Sequence, residues 1–145
     1  MRVFLGLGSN VGDRSGHLEH AIDRLRSILL DVETSPFVET VPLDRHGAVD
    51  TSSPPYLNTV VSGRCDLSPR DLFKKLLAVE TDMGRKPHEK SRYLPRVIDI
   101  DILYLSDEDR PIVIQDDDLV VPHPRLKNRP FFLEPLATWG IGEPL

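Results

Sequence analysis

The sequence predicts one α/β (α+β) domain over residues 1–145: a βαββαβ sheet with helices packed on it and a C-terminal hairpin extension. Two stretches with helical spacing of apolar residues alternate with short apolar segments of strand character. A chain of 145 residues with 39% apolar residues can build one sizeable core but not two independent ones. Together, the element order and the length favour a single compact sheet-and-helix unit.

The first strand and the first helix have clear local signals. Residues 2–7, RVFLGL, predict a short buried strand, and the following GSN supplies turn residues. A helix is then predicted from about Arg14 to Leu30, because apolar residues recur there with helical spacing. These residues are Leu18, Ala21, Ile22, Leu25, Ile28 and Leu29.

The middle of the chain predicts two strands, a long loop and a second helix. Residues 32–41 and 57–64 have strand character, and the connection VPLDRHGAVDTSSPPY is rich in proline, glycine and serine. Loops of this length usually have a function. Ser68, Pro69 and Asp71 form an N-cap, a first-turn proline and a capping-box acid, and Gly84 suits a C-cap. The second helix is therefore predicted over 69–83.

The last part of the sheet is predicted from alternation. VIDIDILYL, residues 97–105, alternates as a strand does, and a shorter hairpin is expected around IVI and LVV. The complete order is that of the ferredoxin-like fold, in which the helices lie on one face of the sheet.

Composition disfavours several classes of protein. A net charge of −5 argues against a protein that coats nucleic acid, because such binding needs a basic face. The sequence has no apolar run near the ~20 residues of a membrane helix and opens without a recognisable leader. The single cysteine, Cys65, excludes an internal disulfide and leaves few ligands for structural zinc. We expect a soluble, cytoplasmic protein with no nucleic-acid or membrane partner.

Asp99 and Asp101 are predicted to share one face of the last strand. Alternation places Leu103 with them and places Ile98, Ile100, Ile102 and Tyr104 on the other face. Like charges two positions apart repel, and aspartate is a poor strand former, so a compensating interaction is expected. Magnesium supplies one, since it favours one or two carboxylates together with phosphates and water. The alternative is a solvated strand face, but the aliphatic flanks and a neighbouring basic loop favour the metal.

That basic loop, GRKPHEKSRYLPR at 84–96, carries a net charge of +4 in an acidic chain. Arginine side chains match phosphate oxygens in geometry and charge. A solvated surface loop is the usual alternative for a run of charges. The position of the basic loop next to Asp99 and Asp101 favours phosphate binding over this alternative.

Other polar residues give weaker signals. Glu80 falls on the apolar stripe of the second helix, which favours a structural role and a ligand contact equally. His123 and Arg129 precede two phenylalanines, a combination that suits a flat heterocycle but also an ordinary core. Gly6 and Gly8 form only GxG, with Val11 where a dinucleotide fingerprint needs glycine, so no such site is expected.

Several motifs together resemble one enzyme family. GSN at 8–10, YLN at 56–58, GR at 84–85, RYLPR at 92–96, DID at 99–101 and VPH…NRPF within 121–131 resemble the 6-hydroxymethyl-7,8-dihydropterin pyrophosphokinase family of folate biosynthesis. The likeness extends to about residue 136, and its most specific part runs from Arg92 to Asp101. It implies a ferredoxin-like fold, ATP as co-substrate, two Mg²⁺ ions, and pyrophosphate transfer to 6-hydroxymethyl-7,8-dihydropterin with release of AMP.

The resemblance also implies roles for individual residues. Both Mg²⁺ ions would be held by Asp99 and Asp101, and the catalytic group would comprise these aspartates with three arginines that contact phosphate. The expected partners are small molecules, and a monomer is expected. The catalytic arginines are Arg85, Arg92 and Arg96; the ATP-binding residues are these with Glu80, His123 and Arg129; the pterin pocket comprises Thr40, Pro42, Leu43, Tyr56, Asn58 and Phe131.

Two other functions use the same type of fold or site. A single-stranded RNA module wants exposed aromatics on the central strands, where this sequence has carboxylates. A two-metal phosphodiesterase or another phosphotransferase also needs an acidic pair.

Overall fold

The computed structural model describes residues 1–42, 46–51, 54–84 and 97–142. The predicted βαββαβ order is confirmed, with two short strands sharing the place of the second one and further short elements near the C-terminus. The elements are β1 (Arg2–Ser9), α1 (Arg14–Arg26), β2 (Leu30–Thr34), β3 (Val38–Thr40), β4 (Tyr56–Arg64), α2 (Pro69–Asp82), β5 (Asp99–Asp107), β6 (Arg110–Pro111), β7 (Ile114–Gln115), β8 (Val120–Val121), a 3₁₀ turn (Leu126–Asn128) and α3 (Pro130–Thr138).

The main sheet is antiparallel, in the order β2-β4-β1-β5-β6, with β3 also paired to β4. The central strand is β1, which lies between β4 and β5. Gly8 of β1 is opposite Asn58 on one side and Asp99 on the other, and Gly6 is opposite Asp101. The second half of β1 therefore brings candidate residues of β4 and β5 to either side of Gly8.

Helices cover both faces of the sheet, whereas the sequence predicted one face. On one face α1 and α2 form the helix-side core with alternate residues of β1 and β5, including Leu7, Leu25, Leu76 and Ile100. On the other face lies the α3-side core, and the helix α3 that completes it was not predicted. Its buried members are Phe4, Val60, Leu103, Tyr104, Leu126, Phe132 and Leu136.

None of the helices in the described ranges is long and apolar enough to cross a membrane.

Two boundaries differ from the prediction for local reasons. The first helix ends at Arg26 rather than near Leu30, because Ser27 closes it with a hydroxyl that donates to the carbonyl of Arg24 at 2.7 Å. The predicted strand 32–41 divides into β2 and β3 at Ser35 and Pro36. Proline has no N–H for the ladder, and the Ser35 hydroxyl instead accepts from the N–H of Val60 at 2.8 Å.

The predicted position of Tyr104 was wrong. The pairing of β1 with β5 shifts register, so that Phe4 is opposite Tyr104 while Leu5 is opposite Ile102. Leu103 is the extra residue of a bulge, and residues beyond a bulge change faces. Tyr104 therefore lies in the α3-side core. The two aspartates precede the bulge and keep their predicted place. The predicted hairpin is confirmed as β7 and β8.

Candidate active site

On the face of β1 that is directed towards α3, Gly8 leaves a place without a side chain. A Cβ atom built on Gly8 would lie 2.9 Å from Asn58 Oδ1 and 3.3 Å from Tyr56 Cδ1. The first distance is shorter than real Cβ contacts and the second is tighter than most, so a side chain at this position would displace the Asn58 and Tyr56 side chains. We call this strip the glycine trough: Gly8 is its floor, Tyr56 and Asn58 form one wall, and Asp99 and Asp101 form the other.

The glycine trough was missed in the sequence. There the two glycines were tested only against a dinucleotide fingerprint, and that site is still not expected. Alternate glycines inside a buried strand also mark close approach of another group, and this was the available signal.

On the acidic wall, two basic residues approach Asp101. His123 Nε2 lies 3.8 Å and Arg129 Nη1 lies 4.0 Å from Asp101 Oδ2. Only 18% of the Asp101 side chain is exposed. The structure thus brings together Asp99, Asp101, His123 and Arg129, which are far apart in the sequence.

The segment after β8 holds His123 in this position. Its backbone N–H donates to the carbonyl of Leu103 at 2.9 Å, and its ring Nδ1 accepts from the N–H of Arg125 at 3.2 Å. A neutral imidazole whose Nδ1 is an acceptor carries its proton on Nε2, the atom that faces Asp101. Burial lowers the pKa of His123, outweighing the opposite effect of the Asp101 and Asp99 carboxylates. At neutral pH His123 is therefore a neutral hydrogen-bond donor.

On the opposite wall, Asn58 has a defined orientation. Its Nδ2 donates to Thr40 Oγ1 at 2.6 Å and to the carbonyl of Val38 at 3.5 Å. A carbonyl can only accept, so the amide nitrogen faces β3 and Oδ1 faces Gly8. Asn58 is buried, with 6% exposed, and it directs a hydrogen-bond acceptor into the trough.

Four more residues predicted for the pterin pocket lie in the described part of the chain: Thr40, Pro42, Tyr56 and Phe131. Tyr56 is half-buried beside Gly8, and Thr40 is its pairing partner in β3. Pro42 is buried, and its carbonyl accepts from the N–H of Asp50 at 2.9 Å. Phe131 packs against the α3-side core, with its ring centre 4.6 Å from that of Phe132.

Glu80 reaches the acidic strand from the helix layer. It is only 2% exposed, and its Oε2 accepts from the N–H of Ile100 at 2.8 Å. Ile100 stands between Asp99 and Asp101, and its side chain belongs to the helix-side core. This bond agrees with the structural role left open by the sequence, and the ATP contact remains a prediction.

Four predicted residues, Leu43, Arg85, Arg92 and Arg96, lie outside the described residues. Their roles remain predictions.

The donor set of the acidic wall fits magnesium. Among the residues that the structure describes, no group of three or more histidine, cysteine, aspartate or glutamate side chains could hold a metal ion. Asp99 and Asp101 alone offer two carboxylates. Magnesium commonly binds through one or two carboxylates with phosphate and water as the remaining ligands, whereas structural zinc needs four protein ligands.

Comparison with known proteins places the chain among enzymes of pterin metabolism. Residues 4–140 match the family model for 7,8-dihydro-6-hydroxymethylpterin-pyrophosphokinase (HPPK). The chain is 40% identical over 134 residues to the 2-amino-4-hydroxy-6-hydroxymethyldihydropteridine pyrophosphokinase of Aquifex aeolicus, covering 92% of this chain and 77% of that protein.

Two longer relatives have two functions in one chain. The folate synthesis bifunctional protein of Chlamydia trachomatis is 35% identical over 94% of this chain, which spans 30% of that protein. The mitochondrial folate synthesis bifunctional protein of Pisum sativum is 36% identical over 92% of this chain, which spans 24% of that protein.

Proposed function

Because the chain belongs to the 7,8-dihydro-6-hydroxymethylpterin-pyrophosphokinase family, and is thus an enzyme that transfers pyrophosphate from ATP to 6-hydroxymethyl-7,8-dihydropterin, we propose that the glycine trough is its active site. One observation carries the proposal. Gly8 is the direct pairing partner of both Asn58 and Asp99, so a polar wall and an acidic wall stand on either side of one glycine.

The wall of Tyr56 and Asn58 is proposed to bind the pterin. A pterin is a flat ring with N–H donors on its edge, and Asn58 Oδ1 is an acceptor that points into the trough. Tyr56 and Phe131 supply aromatic surface suited to stacking. Thr40, Pro42 and Leu43 complete the proposed pocket on the basis of the family resemblance.

The acidic wall is proposed to bind ATP with two Mg²⁺ ions on Asp99 and Asp101. Bound there, magnesium would neutralise phosphate charge and lower the pKa of the acceptor hydroxyl. His123 Nε2–H and the Arg129 guanidinium lie within 4.0 Å of Asp101 Oδ2, so their hydrogen-bond donors are available to phosphate oxygens beside it. The remaining ATP contacts are proposed for Glu80, Arg85, Arg92 and Arg96.

The proposed reaction is an in-line displacement at the β-phosphorus of ATP. The hydroxymethyl oxygen of the pterin forms the new bond, the bridge between the α- and β-phosphates breaks, and AMP leaves with the bridging oxygen. The side chains contribute position and charge rather than covalent chemistry. Asp101 is a hypothetical acceptor for the hydroxyl proton.

The organisation of the protein belongs to the same proposal. Residues 1–145 are proposed to form one pyrophosphokinase domain that acts as a cytoplasmic monomer on small molecules, without nucleic-acid or membrane partners. The family match over residues 4–140 and the net charge of −5 support this view. The single-stranded RNA module is disfavoured because the aromatic residues of β1 and β5, Phe4 and Tyr104, are 0% and 5% exposed.

Product analysis tests the proposed reaction. The protein is incubated with ATP, Mg²⁺ and 6-hydroxymethyl-7,8-dihydropterin, and the nucleotides are separated by chromatography. We expect AMP in a one-to-one ratio to pterin diphosphate, and almost none when pterin is omitted or EDTA is added. Formation of ADP, or hydrolysis of ATP without pterin, would contradict the proposal.

A further inference from the structure

Arg14, the first residue of α1, joins the two ends of the loop that connects β3 to β4. Its Nη1 donates to the carbonyl of Pro55 at 2.9 Å, just before β4 begins. Its Nη2 donates to Glu39 Oε2 in β3 at 3.2 Å. One guanidinium thus contacts the chain on both sides of the loop, at a place we call the loop neck: Glu39 and Thr40 on one side, Pro54 to Tyr56 on the other.

A second side chain from the same turn approaches the loop neck. Asn10 follows β1 directly, is 2% exposed, and its Nδ2 lies 3.5 Å from the carbonyl of Pro54. Between the turn and the loop neck is a shallow hollow of about 270 Å³, lined in part by Gly12, Arg14 and Glu39. The polar contacts of Asn10 and Arg14 connect the two sides of this hollow.

The loop neck is in direct register with the pterin wall of the trough. Thr40 pairs with Tyr56, and Val38 pairs with Asn58. The Thr40 hydroxyl accepts the 2.6 Å hydrogen bond that orients the Asn58 amide. A shift of β3 relative to the start of β4 would therefore turn Asn58 and displace Tyr56, while the acidic wall on the other side of β1 would not move.

We propose that Arg14 is a positioning residue for the pterin substrate: by bonding both sides of the loop neck, it fixes the pairing of β3 with β4 that aims Asn58 and Tyr56 into the trough. This inference rests on the proposed function. Within the described part of the chain, Arg14 donates to Pro55 and Glu39 rather than to the acidic wall, so its influence is on the pterin rather than on ATP.

An ordinary surface ion pair would behave differently. Exposed pairs contribute little to stability, and losing one would leave both substrates unaffected. Arg14 differs in that it also donates to a backbone carbonyl and its side chain is only 29% exposed. The useful readout is therefore the Michaelis constant for each substrate, measured separately, rather than stability alone.

The variant Arg14→Met removes both bonds and keeps most of the side-chain length. The matched control is Arg24→Met on the same helix, where the arginine pairs with Asp82 of α2 at 2.9 Å, away from the loop neck. For Arg14→Met we expect the KM for 6-hydroxymethyl-7,8-dihydropterin to rise about 3- to 10-fold. This is the usual effect of losing one hydrogen bond, here the bond between the pterin and a misaligned Asn58. The KM for ATP and the kcat should match those of Arg24→Met.

A double-mutant cycle with Glu39→Ala adds a second measurement. Because Arg14 bonds both Glu39 and Pro55, Glu39→Ala should raise the KM for pterin less than Arg14→Met does, and the double variant should resemble Arg14→Met alone. Equal KM values for pterin in Arg14→Met and Arg24→Met would overturn the inference, as would equal increases for both substrates. If the wild-type protein forms no AMP from ATP and pterin, the proposed function itself fails.

Discussion

Asp99 and Asp101 lie on one side of β5, and Asp101 has basic neighbours. His123 and Arg129 lie within 4.0 Å of its Oδ2. At this distance the Arg129 charge offsets part of the repulsion between the aspartates, and neutral His123 offers a donor instead. A site of this kind tolerates two carboxylates without a metal and still presents their oxygens to one.

Asp99→Ala and Asp101→Ala should each lose nearly all turnover while keeping the fold. Removing one carboxylate takes away a proposed metal ligand and relieves repulsion within the pair. Turnover is measured as AMP formation, and the fold by circular dichroism and thermal unfolding. The control is Asp107→Ala, at the exposed far end of the same strand. Retained activity in either site variant would remove the metal assignment.

Asn58→Ala should weaken pterin binding by about 1–3 kcal/mol, because a buried ring-edge donor would lose its acceptor. Binding of a non-hydrolysable ATP analogue should change much less. Both affinities are measured by fluorescence titration, and the wild-type protein is the reference. An equal loss for the two ligands would place Asn58 outside the pterin pocket.

His123 should titrate below the ordinary pKa of histidine in the metal-free protein, because burial penalises its charged form. Asp101→Asn should lower the pKa of His123 further, since the Asp101 charge raises it. Nitrogen-detected NMR between about pH 5 and 8 follows this titration and identifies the proton on Nε2. A pKa at or above the ordinary value, or a proton on Nδ1, would contradict the geometry described for this ring.

At the level of elements, β1 separates two kinds of contact. Leu5 and Leu7 face the helix-side core, while Gly6 and Gly8 face α3 and the trough. A Cβ atom on Gly6 would lie 2.7 Å from Phe132 Cζ and 3.0 Å from Leu103 Cδ2. Gly6 therefore allows α3 to pack closely against the sheet, and Gly8 leaves room for the trough.

Gly6→Ala should lower the free energy of unfolding by about 1–3 kcal/mol, the usual cost of overpacking a core. Chemical denaturation measures this change. The control is Gly142→Ala, where nothing lies within 4 Å of the added atom. Phe132→Leu should recover part of the loss in the double variant, because it shortens the side chain that meets the new methyl group. An unchanged free energy of unfolding would mean that the Phe132 ring of α3 does not lie in close contact with Gly6.

Local signals in the sequence predicted the elements that depend on neighbours in the chain. The caps of α2 and the apolar spacing of α1 identified both helices, and the alternation of β5 placed Asp99 and Asp101 on one face. The bulge at Leu103 depends on the partner strand β1, and the packing position of α3 depends on Gly6. Both partners lie far away in the sequence. No local pattern contains that information, so Tyr104 was assigned to the wrong face and α3 was missed.

At the level of the whole molecule, the sheet needs cover on both faces. The helix-side core was predictable because the two amphipathic helices have obvious apolar stripes. The α3-side core draws its members from β1, β4, β5 and the C-terminal segment, and Phe4, Val60 and Leu103 are all fully buried. The same C-terminal segment, from His123 to Thr138, carries His123 and Arg129 to the acidic wall. Packing on the second face of the sheet and assembly of the site therefore depend on the same segment.

Ending the chain after Asn128 should abolish cooperative unfolding as well as activity. The truncation removes Arg129 and all of α3, and it exposes the apolar side chains that α3 covers. Phe132 and Leu136, which the truncation removes, each contribute about 1.5–3 kcal/mol, and exposure of Phe4 and Leu103 adds to the loss, which becomes comparable with the ~5–15 kcal/mol stability of a whole domain.

Chemical denaturation and binding of a hydrophobic dye measure the effect of this truncation. The matched control ends after Gly142, which keeps α3 and both cores, and it should unfold as the full chain does. Loss of activity with unchanged cooperative unfolding in the shorter chain would mean that the C-terminal segment serves only the site. Loss of both together would mean that the protein needs α3 to complete its core, and that the acidic wall forms only on the sheet that α3 covers.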